Sequence, residues 1–313
     1  MKVLFVSSGN SEQGISSVVK NQGESLRDQG IDIQYYNIVG KGVAGYLKNV
    51  LPLRRYVNKN RYDIIHSHYS LSAFTATLSG CKPLVVSLMG SDIRLGSFVK
   101  WVIKICSLLF WNVIIVKSKD MLDSVGIKSV EIIPNGVNVF LFKPRDKKSA
   151  QKKLGWDSSF KHILFAADPL RPEKNFQLLQ EAYDRLKSRE NIVLHSLKDI
   201  PREEIPAYMN ASDVVLLTSL WEGSPNVIKE AMACNRPVVC TDVGDVRLVF
   251  GNTPGCFLVS FDSADVVEKL KTALSFAETY HDTKGRNRIL DLGLDAESIA
   301  RRIVDMYKKV IKN

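Results

Sequence analysis

The chain has 313 residues, 45% of them hydrophobic, and a formal net charge of +10; this is enough length for two domains of roughly 150 residues and too apolar for a disordered chain. The charge is lopsided, with 18 Lys and Arg against 9 Asp and Glu in residues 1–145 and 25 against 24 in the rest, which points the first half toward an anionic partner, with plain solubility as the competing explanation. Five cysteines without a CxxC pair exclude a disulfide framework and read as reduced thiols of an intracellular protein.

MKVLFVSSGN is too short for a signal peptide's core plus cleavage site and reads as a first strand, KVLFVSS. SEQGISSVV (11–19) follows, with Gly14 just ahead of a helix expected from about Ile15. Strand, glycine loop and helix in that order form a backbone phosphate cradle; the spacing is not GxGxxG, so it gives little support to a dinucleotide site. Strands are then expected at IDIQYYNI, YDIIHSH, PLVVSLMG and NVIIVKS. HSHYS (66–70) ends the third of these and puts His68 just past the strand. YLKNVLPLRRYVNKNR (46–61) and FVKWVIKICSLLFW (98–111) mix cations with aromatic and aliphatic residues. Pro52 prevents the first from being one continuous helix. The second holds two lysines, so 98–116 reads as a helix near 98–110 and a buried strand, not a membrane span.

NGVNVFLFKPRDKKS marks a joint near 135–160. HILFAAD, IVLHSL, DVVLLTS, RPVVCTD and GCFLVS are the strands of the second half, alternating with helical stretches such as FQLLQEAYDRLKSRE. Continuous apolar strands suit parallel sheets buried on both faces. Strand–helix–strand order in both halves gives two doubly wound α/β domains, whose ligands bind beyond the carboxyl ends of the strands. The last helix, near 296–312, carries an apolar stripe of Ile299, Ile303, Tyr307, Val310 and Ile311 that needs a partner surface.

Two loops carry the chemistry. In LRPEKN (170–175), Arg171 and Lys174 precede a helix, where cations oppose the macrodipole unless an anion binds; they read as anion ligands exposed to a cleft or, equally, as two exposed charges flanking Glu173. LWEGSPNVIKEAMA (220–233) brackets a Gly223-Ser224-Pro225-Asn226 turn with Glu222 and Glu230. Ser224 suits an N-cap and Pro225 the first helical position. Val227, Ile228, Ala231 and Met232 would form the buried face, and Glu230 would share an outer stripe with Asn226. An anion at this helix start, with a carboxylate on either side for hydroxyls, matches a sugar nucleotide. Taken singly, each glutamate is more simply a solvated surface acid.

The EGSPNVIKEAMA stretch followed by RPVVCTDVGD resembles the retaining glycosyltransferases of family 4. GISSVV, HSH, MGSD, PNGVN and RPEKN extend the resemblance over nearly the whole chain. It implies a GT-B fold, two doubly wound Rossmann-like domains with a cleft between them: an acceptor-side domain of residues 1–145 plus the helix 296–313, and a nucleotide-sugar-binding domain of residues 146–295. It implies that Glu222 contacts donor-sugar hydroxyls, Glu230 the ribose, and the amides of Gly223 to Asn226 the sugar and phosphates. Arg171 and Lys174 would neutralise the departing diphosphate, with His68 near the transferred sugar and Gly14 near the diphosphate. No metal and no cofactor is implied, the nucleotide sugar being a co-substrate; the acceptor would be a glycan or lipid-linked. The enzyme would be cytoplasmic, at the inner face of an anionic membrane through its basic first domain, and would act in cell-envelope polysaccharide or glycolipid synthesis. A nucleic-acid partner is not expected, since no recognition helix or RNA-binding motif is present. Pro169 stands where the family has arginine, Met89 where it has histidine and Asn138 where it has aspartate. A sugar-nucleotide 2-epimerase and a non-catalytic sugar-nucleotide-binding subunit are the alternatives.

Overall fold

The apolar runs form two all-parallel sheets in a computed structural model, which describes residues 1–10, 14–94, 96–127, 130–188 and 190–312. The first sheet comprises β1 (Lys2–Ser8), β2 (Asp32–Ile38), β3 (Ile64–His68), β4 (Leu84–Ser87), β5 (Val113–Val116) and β6 (Val130–Ile132), in the order β2-β1-β3-β4-β5-β6. The second comprises β7 (Lys161–Phe165), β8 (Ile192–Ser196), β9 (Val214–Leu217), β10 (Val238–Thr241) and β11 (Cys256–Val259), in the order β11-β10-β9-β7-β8. Both are doubly wound. The direction of winding reverses between β1 and β3 in one and between β7 and β9 in the other, and a ligand crevice is expected at the carboxyl ends of those pairs.

Val3 to Val6 of β1 are wholly buried because helices cover both faces of the first sheet. Leu4 and Val6 pack toward a core shared with Tyr46, Leu53, Ala73, Ile103 and Met121 of the helices Gly42–Lys48, Val50–Asn60, Ser70–Leu78, Ser97–Leu109 and Lys119–Val125. Phe5 points the other way, to Tyr35, His66 and His68. The helices Ser17–Asp28 and Ala296–Lys312 pack on each other, and Tyr307 of the last helix reaches His66. Pro52 is accommodated as expected: the helix breaks at Asn49 and Pro52 takes the first turn of the next one, where no intrahelical N–H is needed.

The chain divides into one compact unit of Met1–Gly136 with Ala296–Asn313 and another of Val137–Asp295. Residues 137–145, assigned from sequence to the first unit, pack with the second. The Val137 N–H donates to the Leu294 carbonyl at 2.9 Å, Phe142 is wholly buried, and Asn210 holds the Arg145 N–H and the Lys143 carbonyl. Asn138 caps this entry by accepting from the Phe140 and Leu141 amides. An acceptor oxygen is all that role needs, and asparagine supplies it as well as aspartate. Among the described residues no helix is long and apolar enough to cross a membrane.

Candidate functional site

The outgoing loops of β7 and β9 meet at the reversal point of the second sheet. The Thr218 hydroxyl donates to the Lys174 and Asn175 carbonyls, and the Leu220 N–H donates to the Glu173 carbonyl at 2.9 Å. These ties bring Lys174 Nζ onto Glu222 Oε1 in an ion pair whose side chains are only 12% and 15% exposed. The Ser219 hydroxyl donates to the same Glu222 oxygen at 2.7 Å. Two sequence candidates 48 residues apart thus share one hydrogen-bonded cluster where the fold predicts a ligand. Lys174 is therefore not the exposed cleft cation expected from sequence; it is paired with a carboxylate and mostly buried. Arg171 is not part of the cluster. Its side chain is 57% exposed, and its guanidinium grips Glu173 through Nε at 2.8 Å.

The helix following β9 is Asn226–Ala233, and its cap is Pro225, not Ser224. The Ser224 hydroxyl is already taken: it donates to Asp245 Oδ2 at 2.5 Å and accepts from Lys229 Nζ at 2.9 Å. Pro225 therefore stands one position earlier than expected, just outside the helix. Only part of the helix was expected to be buried, yet Ile228 to Ala233 are all covered, Lys229 and Glu230 among them, whereas Val227, expected in the buried face, is half-buried. Burial pushes the Lys229 ammonium pKa down, while Asp245 and Glu230 oppose that shift. Glu230 pairs with Arg202 at 2.7 Å, its side chain only 4% exposed. The Asn226 side-chain oxygen is buried without a partner.

Gly244, at φ +60°, lies against this turn; a Cβ there would come within 2.6 Å of the Gly223 carbonyl oxygen. The Thr241 hydroxyl ties the same two loops by donating to the Ser219 carbonyl at 2.7 Å. The Glu222–Asn226 segment is thus fixed from three sides, which favours binding by a rigid backbone. Arg202, Lys229, Gly244 and Asp245 escaped the sequence reading. For Gly244 a signal existed, the VGD turn after RPVVCTD; for the others the partner is visible only once the loops meet.

In the first unit, Gly14 follows β1 at φ +76°, with nothing within 4 Å of where its Cβ would be. The helix after it starts at Ser17, capped by the Ser16 hydroxyl, and Ser11 to Gln13 of the expected cradle lie outside the described residues. His68 ends β3, is almost wholly buried, and has no hydrogen-bond partner on either ring nitrogen. It stacks on His66 with centroids 4.4 Å apart and 4.5 Å from Phe5. Burial, helped by the Lys117 charge, lowers its pKa to about 3, so the ring is neutral. Asp92 of the MGSD loop accepts from the Met89 and Ser70 amides, and burial raises its carboxyl to about 6. Among the described residues no group of three or more His, Cys, Asp or Glu side chains is placed to hold a metal ion.

Two doubly wound units with polar residues gathered at the carboxyl ends of their strands define a GT-B protein. The solved sucrose-phosphate synthase of Thermosynechococcus elongatus shares this fold at a TM-score of 0.84 and 17% identity, over 100% of this chain and 99% of that one. Two family models match in turn, Glycosyltransferase Family 4 over residues 17–139 and Glycosyl transferases group 1 over residues 179–275, and the chain belongs to glycosyltransferase family 4. A relative in Bacillus subtilis (strain 168), TuaC, described as a teichuronic acid biosynthesis glycosyltransferase, is 26% identical over 70% of this chain and 65% of its own length; the chain therefore spans just under two thirds of that relative. The Escherichia coli UDP-Gal:alpha-D-GlcNAc-diphosphoundecaprenol alpha-1,3-galactosyltransferase is 24% identical over 85% of this chain and 80% of its own.

Proposed function

We propose that the protein is a retaining hexosyltransferase that moves a sugar from a nucleotide-sugar donor to a glycan or lipid-linked acceptor in cell-envelope polysaccharide or glycolipid synthesis. The observation that carries this reading is the Lys174–Glu222 pair at the reversal point of the second sheet, beside a helix start that no side chain caps. Glu222 takes hydroxyls of the donor sugar, Glu230 takes the ribose, and amides of Gly223 to Asn226 take the sugar and phosphates. The bond from the sugar's anomeric carbon to the diphosphate breaks, and a bond to the acceptor oxygen forms on the same face. The acceptor's proton passes to the departing phosphate oxygen. Lys174 stabilises the charge that grows on the diphosphate, and Arg171 swings from Glu173 to add to it. His68, neutral and unpartnered, accepts or donates one hydrogen bond near the transferred sugar, and Gly14 lets the diphosphate approach the backbone. No metal ion and no cofactor beyond the nucleotide sugar takes part.

The acceptor side is peripheral to an anionic bilayer, at its cytoplasmic face. Ten large apolar side chains between Val39 and Phe110 are exposed, in a stretch that holds ten Lys and Arg against two Asp. One of those aspartates, Asp92, is buried. Cations around apolar side chains suit a bilayer surface. The relatives in teichuronic acid synthesis and on diphosphoundecaprenol lend support.

Calorimetry against nucleoside diphosphates and their sugars tests the proposal, followed by product analysis with the donor that binds, in excess chelator. The reading expects one nucleotide to bind, transfer or slow hydrolysis without metal, and a product of unchanged anomeric configuration. Binding by none of the panel overturns it. An epimerised sugar would identify a 2-epimerase, binding without turnover a non-catalytic subunit, and activity restored only by a divalent ion would refute the metal-free step.

A further inference from the structure

Glu230 lies on a helix after β9, and the cation that meets it comes from a different loop. Arg202 follows β8 and donates through Nη2 to Glu230 Oε1 at 2.7 Å. Its guanidinium carbon sits 5.2 Å from the centroid of the Phe142 ring, which is wholly buried. Its Nε is buried without a partner. The arginine is therefore held by a ring face and one charged bond, while 28% of its side chain remains exposed beside a carboxylate that is 4% exposed. A carboxylate so far from water is costly unless a cation pairs with it. A planar guanidinium also fixes the direction in which the carboxylate points, which a lysine does not.

We infer that Arg202 is a positioning residue for Glu230: by holding Oε1 it turns Oε2 toward the hydroxyls of the donor's ribose. This rests on the reading of Glu230 as the ribose acceptor. Arg202 also sits on the loop that leaves β8, the strand next to β7 in the sheet, so it joins the element that carries Glu230 to the edge of the same crevice.

The test is a chemical double cycle. The nucleoside diphosphate found in the panel and its 2′-deoxy and 3′-deoxy forms are titrated into the wild-type protein, Arg202→Gln and Arg202→Lys, with thermal unfolding of each. A hydrogen bond to a charged acceptor predicts that wild type binds at least one deoxy form about 10-fold or more weakly. In Arg202→Gln that discrimination should shrink to within about 3-fold, because affinity for the ribose form falls while the deoxy form is little affected. Arg202→Lys should keep an intermediate preference at near-normal stability. A general loosening of the structure would lower all three affinities together and leave the ratio intact; that result overturns the inference. If Arg202→Gln does not fold, undiminished discrimination by Arg202→Lys overturns it. Wild-type binding without any preference for ribose removes Glu230's role and the inference with it, while the glycosyltransferase reading stands. Failure of wild type to bind any nucleotide removes both.

Discussion

Lys174 and Glu222 pair almost out of water, and this changes how either can be probed. Lys174→Ala leaves a carboxylate with 15% exposure and only the Ser219 hydroxyl, a situation that costs about 3–5 kcal/mol. The single variant should therefore unfold at lower urea than wild type, and Lys174→Met with Glu222→Gln should recover much of that loss. Transfer should fall roughly 100-fold in both, as for removal of one charge contact in a transition state; a folded double variant with near-normal turnover would take Lys174 off the catalytic list. His68 makes a separate prediction about pH. Its folded pKa of about 3 lies below the roughly 6.5 of an exposed histidine, so between those values only the unfolded chain holds the proton. Stability from the neutral ring is complete above pH 6.5 and drains away as pH falls. Asp92 opposes this, since its folded pKa of about 6 exceeds the usual 3.8 and its share of stability grows as pH falls through that window. His68→Phe keeps the stacking on Phe5 and His66 and removes the titration. Urea melts at pH 7 and pH 4.5 should show a smaller loss in the variant than in wild type; an equal or larger loss contradicts the assignment. The acids and bases of these sites were legible in the sequence as residue types after strands. Their partners were not, because Arg202 and Asp245 reach Glu230 and Ser224 only through the winding of the sheet.

The strands were legible because burial on both faces leaves a continuous apolar run, as in VLFV of β1 and VVLL of β9. β6 was missed; three residues at a sheet edge, only half buried, carry no such run. The N-terminus of Asn226–Ala233 was read one residue early because Ser224 looked like a cap, and the pull of Asp245 and Lys229 on its hydroxyl has no local signature. The helix Ser97–Leu109 shows the opposite case, where the sequence pattern outruns the packing. Only Ile103 is fully buried, while Phe98 at 73%, Trp101 at 58%, Leu108 at 75% and Leu109 at 66% remain exposed. Trp101, Leu108 and Leu109 lie three, ten and eleven residues beyond Phe98, which puts all four on one side, with Lys104 at its border. A bilayer covers such a stripe at about 25 cal/mol per Å² of apolar surface, and each lysine near an anionic headgroup layer adds about 1 kcal/mol. Wild type should sediment with phosphatidylglycerol vesicles and much less with phosphatidylcholine. Phe98→Ser with Trp101→Ser should weaken the first by about 10-fold or more, and Lys100→Gln with Lys104→Gln should remove most of its salt sensitivity. Unchanged sedimentation of the serine variant would mean that this helix is not the contact.

At the scale of the whole molecule, one unit is continuous in sequence and the other is not. Residues 137–295 contain all five strands of their sheet, whereas the first unit needs 296–313 from the far end of the chain. The last helix buries Ile299, Ala300, Ile303, Val304, Met306, Tyr307 and Val310. The Tyr307 hydroxyl meets His66 Nδ1 at 2.5 Å, while His66 Nε2 meets the Ser87 hydroxyl at 2.8 Å, and Arg302 donates to the Ile132 carbonyl. Burying a large apolar side chain contributes about 1.5–3 kcal/mol, so losing this helix removes on the order of 10 kcal/mol. That matches the entire stability of an ordinary domain, about 5–15 kcal/mol. A fragment of residues 1–136 should therefore be unfolded or molten, showing no cooperative urea transition, and adding residues 296–313 as a separate peptide or a linked segment should restore one. A fragment of residues 137–295 should unfold cooperatively and still bind the nucleoside diphosphate, since Glu222, Glu230, Arg202 and the glycine turn all belong to it. The apolar stripe on 296–312 was visible in the sequence, except that Ile311, counted in it, is exposed in the last turn; the surface that covers it was not, because a helix declares only that it needs a partner. If residues 1–136 fold cooperatively alone, the last helix is an accessory and not part of that unit's core; if residues 137–295 do not fold, the division into two independently stable bodies is wrong.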